Sequence, residues 1–343
     1  MKPPISLIAS ALSTALLLAA APLRGNDCEP ATYPSTPLTG DYTSFDMNGG
    51  CGASGGLDVD LAFEPLFTRE KMTATGCASS IATVRGGNVV DVASAPTDLG
   101  GWEAVQAADG SYWTISNDRH HPQTYVNLTG SGQIVTRPSG TGLLPVEIAA
   151  DGRGHVFGVE EENSVGPDSA VIVSLDSQRT FVLAPDSFAG FEHGADGNLY
   201  VHVGDVKGNE RMLQVSPNRI WSRNIAVWPK VAFASNGDIW RAQFNGLIHM
   251  DSNGRVLQRI LGISSLPCTI TNTAYLTPSR LVPQSNGMMW FILRGKLWRL
   301  SSDGRIQTGP LPGGIIDAFV GGTPGTVWFT VEESPGEILY RFH

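Results

Sequence analysis

Two glutamates carry the most pointed spacing in this chain. Glu147 and Glu192 each lie four residues ahead of an Asp-Gly pair, Asp151-Gly152 and Asp196-Gly197. Matching distances to two turn pairs place both carboxylates at one level of neighbouring strands. Two carboxylates at one level could share a divalent cation such as magnesium or calcium through oxygen ligands. They could instead raise one another's pKa and run acid and base steps. The plain alternative is the lining of a water-filled channel. Glu103 joins them from the preceding unit, within two residues of the same register.

A second group falls in segments between strands: Asn117-Asp-Arg-His-His121, Glu160-Glu-Glu162 with Asp168, Asp205 with Glu210, and Glu332-Glu333. If these segments share a face, His120, His121, Glu160 and Asp205, with His193 beside Glu192, are candidate ligand contacts. The plain alternative is a solvated acidic rim. His120 and His121 would point to opposite sides if they lay on a strand. The chain has no Gly-x-Ser-x-Gly elbow, phosphate-binding glycine loop or His-Glu-x-x-His run.

Such residues need elements to hold them, and the chain repeats one element pattern. A turn pair is followed four residues after its first member by an aromatic: Asp109-Gly110 to Trp113, Asp196-Gly197 to Tyr200, Asn236-Gly237 to Trp240, Asn286-Gly287 to Trp290, Pro324-Gly325 to Trp328. Asp151-Gly152 leads to Phe157 with two extra residues. Successive turn pairs lie 38 to 50 residues apart, a period that suits a four-stranded blade better than a helical repeat. Second turns such as Asp251-Ser-Asn-Gly254 and Ser301-Ser-Asp-Gly304 punctuate short strands rich in Val, Ile, Leu and Trp, and no long capped helical periodicity interrupts them.

The fold class expected is all-β, a six- or seven-bladed β-propeller of four-stranded antiparallel blades. One blade cannot bury both faces, whereas a ring of blades buries every face against a neighbour. The aromatics then fill the gaps between blades. Six anchors are explicit, and residues 57–94 make a seventh blade if they form four consecutive strands. The last blade ends on its third strand, and an N-terminal strand, near Val89–Ala93, is expected to supply the outer strand and close the ring.

Composition narrows the function. Hydrophobic content is 41%, charged content 16%, and net charge −9 without a Lys/Arg cluster, so the electrostatic footprint of nucleic-acid binding is missing. Residues 1–21, with Lys2 ahead of an apolar run, read as a secretory signal peptide. Residues 22–56 read as an irregular disulfide-linked lead-in, and residues 57–343 as the propeller. Cys28, Cys51, Cys77 and Cys268 are expected to form two disulfides in an exported chain, with Cys268 bonded to one of the three N-terminal cysteines.

Three stretches carry a family resemblance. Asn236-Gly-Asp-Ile-Trp240 followed by Asn245-Gly-Leu-Ile-His-Met-Asp251 resembles the repeat of two-component regulator propellers, periplasmic sensor modules of some histidine kinases. Asn286-Gly-Met-Met-Trp-Phe291 and Gly325-Thr-Val-Trp-Phe-Thr330 resemble virginiamycin B lyase (streptogramin lyase), a propeller enzyme. The lyase resemblance implies general acid/base elimination with a magnesium ion, histidines near the starts of the last inner strands, and a nearby glutamate. On the turn and aromatic anchors, the histidine places hold Ser279 and either Asp317 or Ala318, and the glutamate place holds Glu332. One place of three is matched.

The leading expectation is an exported, secreted or periplasmic, monomeric propeller that binds or senses a small molecule, glycan or peptide, without nucleic-acid binding or stable membrane insertion. The second is a metal-assisted lyase or hydrolase using Glu147, Glu192 and Glu332. The third is a cell-envelope scaffold.

Overall fold

The computed structural model describes residues 34–95, 103–116, 123–129, 134–138, 141–161, 169–185, 187–205, 209–223, 230–243, 246–261, 279–333 and 336–343. Regular structure among them is entirely β-strand, in seven sheets. Blade 1 runs from Gly50 to Ser94, blade 2 from Ala104 to Pro138, and blade 3 from Leu144 to Pro185. Blade 4 spans Ser187–Arg223, blade 5 Val231–Leu261, blade 6 Ser279–Pro310 and blade 7 Ile315–Phe342. Each blade is an antiparallel meander whose strands we letter a to d from the channel outward. The seven a strands touch one another in chain order, and the seventh touches the first. The chain is a seven-bladed β-propeller.

Blade 7 has three strands of its own. Its outer strand is Tyr42–Asp46, antiparallel to Gly336–Phe342 with Tyr42 opposite Phe342 and Asp46 opposite Ile338. This corrects the expectation for Val89–Ala93, which belongs to blade 1's own outer strand, Asn88–Ser94, paired with Gly76–Arg85. Residues 57–94 therefore lie in a blade of their own. That blade opens at Gly50, so strands begin well inside the supposed lead-in. Fastening an N-terminal strand onto the last blade covers an edge that would otherwise present unpaired amides. Ser35–Pro37 adds in parallel to Ile306–Pro310, giving blade 6 a fifth strand.

The a–b turns explain both the pattern and its gaps. Each reverses at a residue of positive φ placed three residues before the packing anchor: Gly110, Gly154, Gly197, Gly237, Gly287 and Gly325, with φ between 76° and 92°. Blade 3 turns at Gly154, whose amide donates to the Asp151 carbonyl, and not at Gly152. Its spacing to Phe157 thus equals that of the other blades, and no residues are extra. Blade 1 has Phe63 at the glycine place, with φ 63°, and Leu66 at the anchor. Lacking both glycine and aromatic, it leaves no trace in the repeat.

Seven buried clusters fill the seven blade interfaces. Phe45, Met47, Phe67, Trp328 and Leu339 join the last blade to the first, so the N-terminal strand contributes packing as well as hydrogen bonds. Tyr200, Val231, Phe233 and Ile239 join blades 4 and 5, with the Tyr200 and Phe233 rings stacked. The anchors are all buried, Trp240 the most exposed of them at 8%. Trp240 stacks on His249, whose Nε2 lies 2.8 Å from Asp238, so His249 is held within its own blade. Cys51 and Cys77 form a disulfide within blade 1, Cα to Cα 6.0 Å. Neither is therefore the partner of Cys268, which lies with Cys28 outside the described residues.

Candidate functional site

The a strands bring chemistry to the ring's axis, and the ladder fixes their levels. The residue opposite the anchor defines a first level: Asp58 faces Leu66, Ala149 faces Phe157, Glu192 faces Tyr200 and Ala232 faces Trp240. Two residues earlier the second level holds Glu103, Glu147, Gly190 and Lys230 in blades 2 to 5. Glu147 and Glu192 accordingly stand one level apart rather than at the same level. Counting from Asp151-Gly152 displaced Glu147 by two residues, because the chain turns at Gly154 instead. The true equivalents are Glu103 with Glu147, and Asp58 with Glu192.

The three glutamates of this series each reach to the next blade. Glu103 Oε2 accepts the Ile148 amide at 3.2 Å. Glu147 Oε1 accepts the Phe191 amide at 3.0 Å, and its other oxygen packs over Gly190, where a β-carbon would stand 3.5 Å away. Glu192 pairs with the Lys230 ammonium of blade 5. Glu161 joins in by accepting the Ala189 amide at 3.2 Å.

Taking carboxylates out of water on one side of a ring has a clear electrostatic result. Burial lifts the Glu147 carboxyl to about 8; Glu103, Glu192 and Glu161 add repulsion that the Phe191 amide only partly offsets. Burial lifts Glu103 to about 7, against the pull of the Ile148 amide. Burial also raises Asp58, despite the opposing pull of His193 and the Val59 amide. Glu147 thus holds a proton at neutral pH and can donate or receive one. Among the described residues, no group of three or more His, Cys, Asp or Glu is arranged to hold a metal ion.

A cavity of about 280 Å3 opens where the channel meets the a–b turns. Asp58 and Phe63 of blade 1, Glu192 and His193 of blade 4, and Leu281, Gln284, Phe319 and Val320 of blades 6 and 7 line it. His193 Nε2 lies 3.6 Å from Asp58 Oδ2, bridging blades 4 and 1 across the axis. The rim is fastened blade to blade: Ala108 donates to Gly154, Gly152 to Gly197 and Ala195 to Phe233 through backbone hydrogen bonds. The Leu61 amide donates to Gln106 Oε1, and the Gln284 amide group bonds to blade 7 at the Thr326 carbonyl and the Gly325 amide. This cavity therefore has a hydrogen-bonded frame, with its chemistry inside.

The loop candidates fare differently. Glu160 is not on a rim: it is 1% exposed, accepts the Thr141 hydroxyl, and raises Tyr125 further above a value already lifted by burial. Asp205 accepts the Asn209 amide and side chain, both at 2.8 Å, and so ties its own hairpin. Glu332 is exposed at the b–c end of blade 7, opposite Ile315 and Glu337, away from the a–b turns that frame the cavity. His120, His121, Glu162, Asp168 and residues 262–278 lie outside the described residues. The residues missed in the sequence are Asp58, Phe63 and Lys230. The first two belong to the blade without the repeat's signature, although Leu57 to Phe63 does show strand alternation.

The chain has solved counterparts in fold. A streptogramin B lyase structure superposes with a TM-score of 0.56 at 15% identity, covering 89% of this chain and 98% of that one. The acylaminoacyl peptidase of Pyrococcus horikoshii gives 0.53 at 10% identity, over 84% of this chain and 51% of that one. The β-propeller domain of the Trilobed protease from Pyrococcus furiosus gives 0.51 at 10% identity, over 84% and 96%. No family model and no curated protein matches the sequence. At these identities the likeness is one of propeller architecture.

Proposed function

We propose that this propeller is an exported binding or sensing module that takes up a small molecule, glycan or peptide end at the channel mouth. The observation that carries this reading is the 280 Å3 cavity framed by the a–b turns, where apolar walls surround Asp58, Glu192 and His193. Concave, largely apolar sites with a few convergent polar groups are where ligands bind, and propeller axes supply them. The Cys51–Cys77 disulfide fits an oxidising compartment.

A thermal-shift screen of small molecules, glycans and short peptides tests it, run in parallel on the wild type and on Glu192→Gln with His193→Ala. A ligand at one hundred times its Kd stabilises by about 2.7 kcal/mol, a readily measured rise in Tm. The expected result is a set of hits whose shift disappears in the double variant. Hits that shift both proteins equally would place binding elsewhere.

One observation favours a second reading, an acid/base lyase or hydrolase: the Glu147 carboxyl, lifted to about 8, retains a proton an ordinary glutamate would have lost. On that reading, turnover of a channel-bound ligand falls at least tenfold in Glu147→Gln. On the binding reading no turnover is seen and affinity is unchanged.

A further inference from the structure

We infer that the ligand taken at the channel mouth is an organic cation, an alkylammonium or methylated amine, with its charge on Asp58 and its alkyl groups against Phe63. This rests on the channel mouth being the ligand site.

The charge inventory of the mouth is one-sided. Its ionisable lining is Asp58, Asp60, Asp151, Glu192 and a single imidazole, His193, with no Lys or Arg among the described residues that line it. Three of the four carboxylates are already engaged. Asp60 Oδ1 accepts the Ala62 and Glu64 amides at 2.8 and 2.9 Å. Asp151 accepts the Arg153 and His155 amides and faces His155 Nδ1 at 2.9 Å. Glu192 is paired with Lys230.

Asp58 is the one left under-compensated. Its Oδ1 accepts only the adjacent Val59 amide, and its Oδ2 faces His193 Nε2 at 3.6 Å, longer than a hydrogen bond. Its side chain is 14% exposed. The His193 imidazole is its nearest counter-charge, and an incoming cation supplies a closer one.

Phe63 provides the second half of the site. Every other blade reverses its a–b turn at glycine, whereas blade 1 does so at a phenylalanine with φ 63°. A bulky residue in the left-handed region persists only where its surroundings over-determine it. Here the Asp60 carboxylate grips the turn, and Gln106 of blade 2 holds the Leu61 amide at 3.1 Å. Glycine would serve the turn better, yet the ring stands 52% exposed on the rim of the cavity, beside Leu61 at 42%. An aromatic face and aliphatic neighbours lining one cavity with a carboxylate attract an alkylated cation, through the ring quadrupole, dispersion and charge together. Neutral polar ligands gain less there, and anions are repelled.

Isothermal titration of the full chain with choline, and with its uncharged isostere 3,3-dimethyl-1-butanol, tests the assignment. The expected result is choline bound at least tenfold more tightly than the isostere. Phe63→Gly and Asp58→Asn should each weaken choline at least tenfold, and Phe63→Trp should retain it. Phe63→Gly should also raise the Tm, since it relieves the backbone while removing the contact; a purely structural Phe63 would lower it. Equal affinity for the two probes, choline binding unchanged in Phe63→Gly, or no binding of choline overturns the inference. Should choline fail while a neutral compound binds and is lost in Glu192→Gln with His193→Ala, the channel-mouth site stands and only its cation preference falls.

Discussion

Glu147 keeps its proton because it gave up water for one backbone amide while three other glutamates stand near it. The consequence for stability has a definite sign. Between the ordinary glutamate value of 4.5 and the folded values of about 7 and 8, the folded chain holds protons on Glu103 and Glu147 that the unfolded chain has released. Stability therefore falls as pH rises through that window and levels off above it. Glu147→Gln retains an acceptor for the Phe191 amide and removes the titration. Urea melts should show the variant more stable than wild type by about 1–3 kcal/mol at pH 8 and equal to it near pH 4.5. A wild-type curve that is flat from pH 5 to 8 would contradict the buried, protonated pair. At this scale the sequence disclosed Glu147, Glu192 and His193, since an acid just ahead of a turn is visible as such. It misplaced their relative level by one ladder step, and it hid Asp58, because that residue's blade lacks the glycine and aromatic that number the others.

The strand–turn–strand element carries most of what was legible. A positive-φ glycine followed three residues later by a buried aromatic marks six of seven blades, and the anchors lie where the pattern puts them, between sheets. Trp240, packed in the cluster between blades 5 and 6 and stacked on His249, should cost about 3–5 kcal/mol when replaced by Ala, read from urea midpoints. Gly152 is constrained for a different reason: a β-carbon there would meet Gly197 Cα at 2.8 Å, where the turns of blades 3 and 4 are hydrogen-bonded. Gly152→Ala should destabilise by about 1–3 kcal/mol, whereas a neutral result would mean the turns are not in contact. This close approach also accounts for the misread Asp151-Gly152 pair. Its glycine serves packing between blades and not reversal of the chain, and those two uses look alike in a sequence.

Ring closure belongs to the whole molecule: the sequence pattern called for an N-terminal strand on the last blade but named Val89–Ala93 in place of Tyr42–Asp46. Tyr42–Asp46 has no anchor or turn pair of its own; it is recognisable as a propeller strand only once Gly336–Phe342 is seen to need a partner. Removing residues 1–46 would bare that edge and take Phe45 out of the core between blades 7 and 1. Calorimetry of the truncated chain should show a Tm lower by 10 °C or more, and size-exclusion chromatography should show association through the bared strand. An unchanged Tm would mean that the strand is dispensable.

The closed ring places its sites at the two ends of one axis, and Asp58, Glu192 and His193 stand at the end framed by the a–b turns. Crystals soaked with a diverse fragment set would test that choice of end most directly, because density reports a site without prior choice of ligand. The expected result is fragments gathered in the cavity between Asp58, Phe63 and His193. Fragments gathered instead at the b–c end, around Glu332, with that cavity empty, would contradict it.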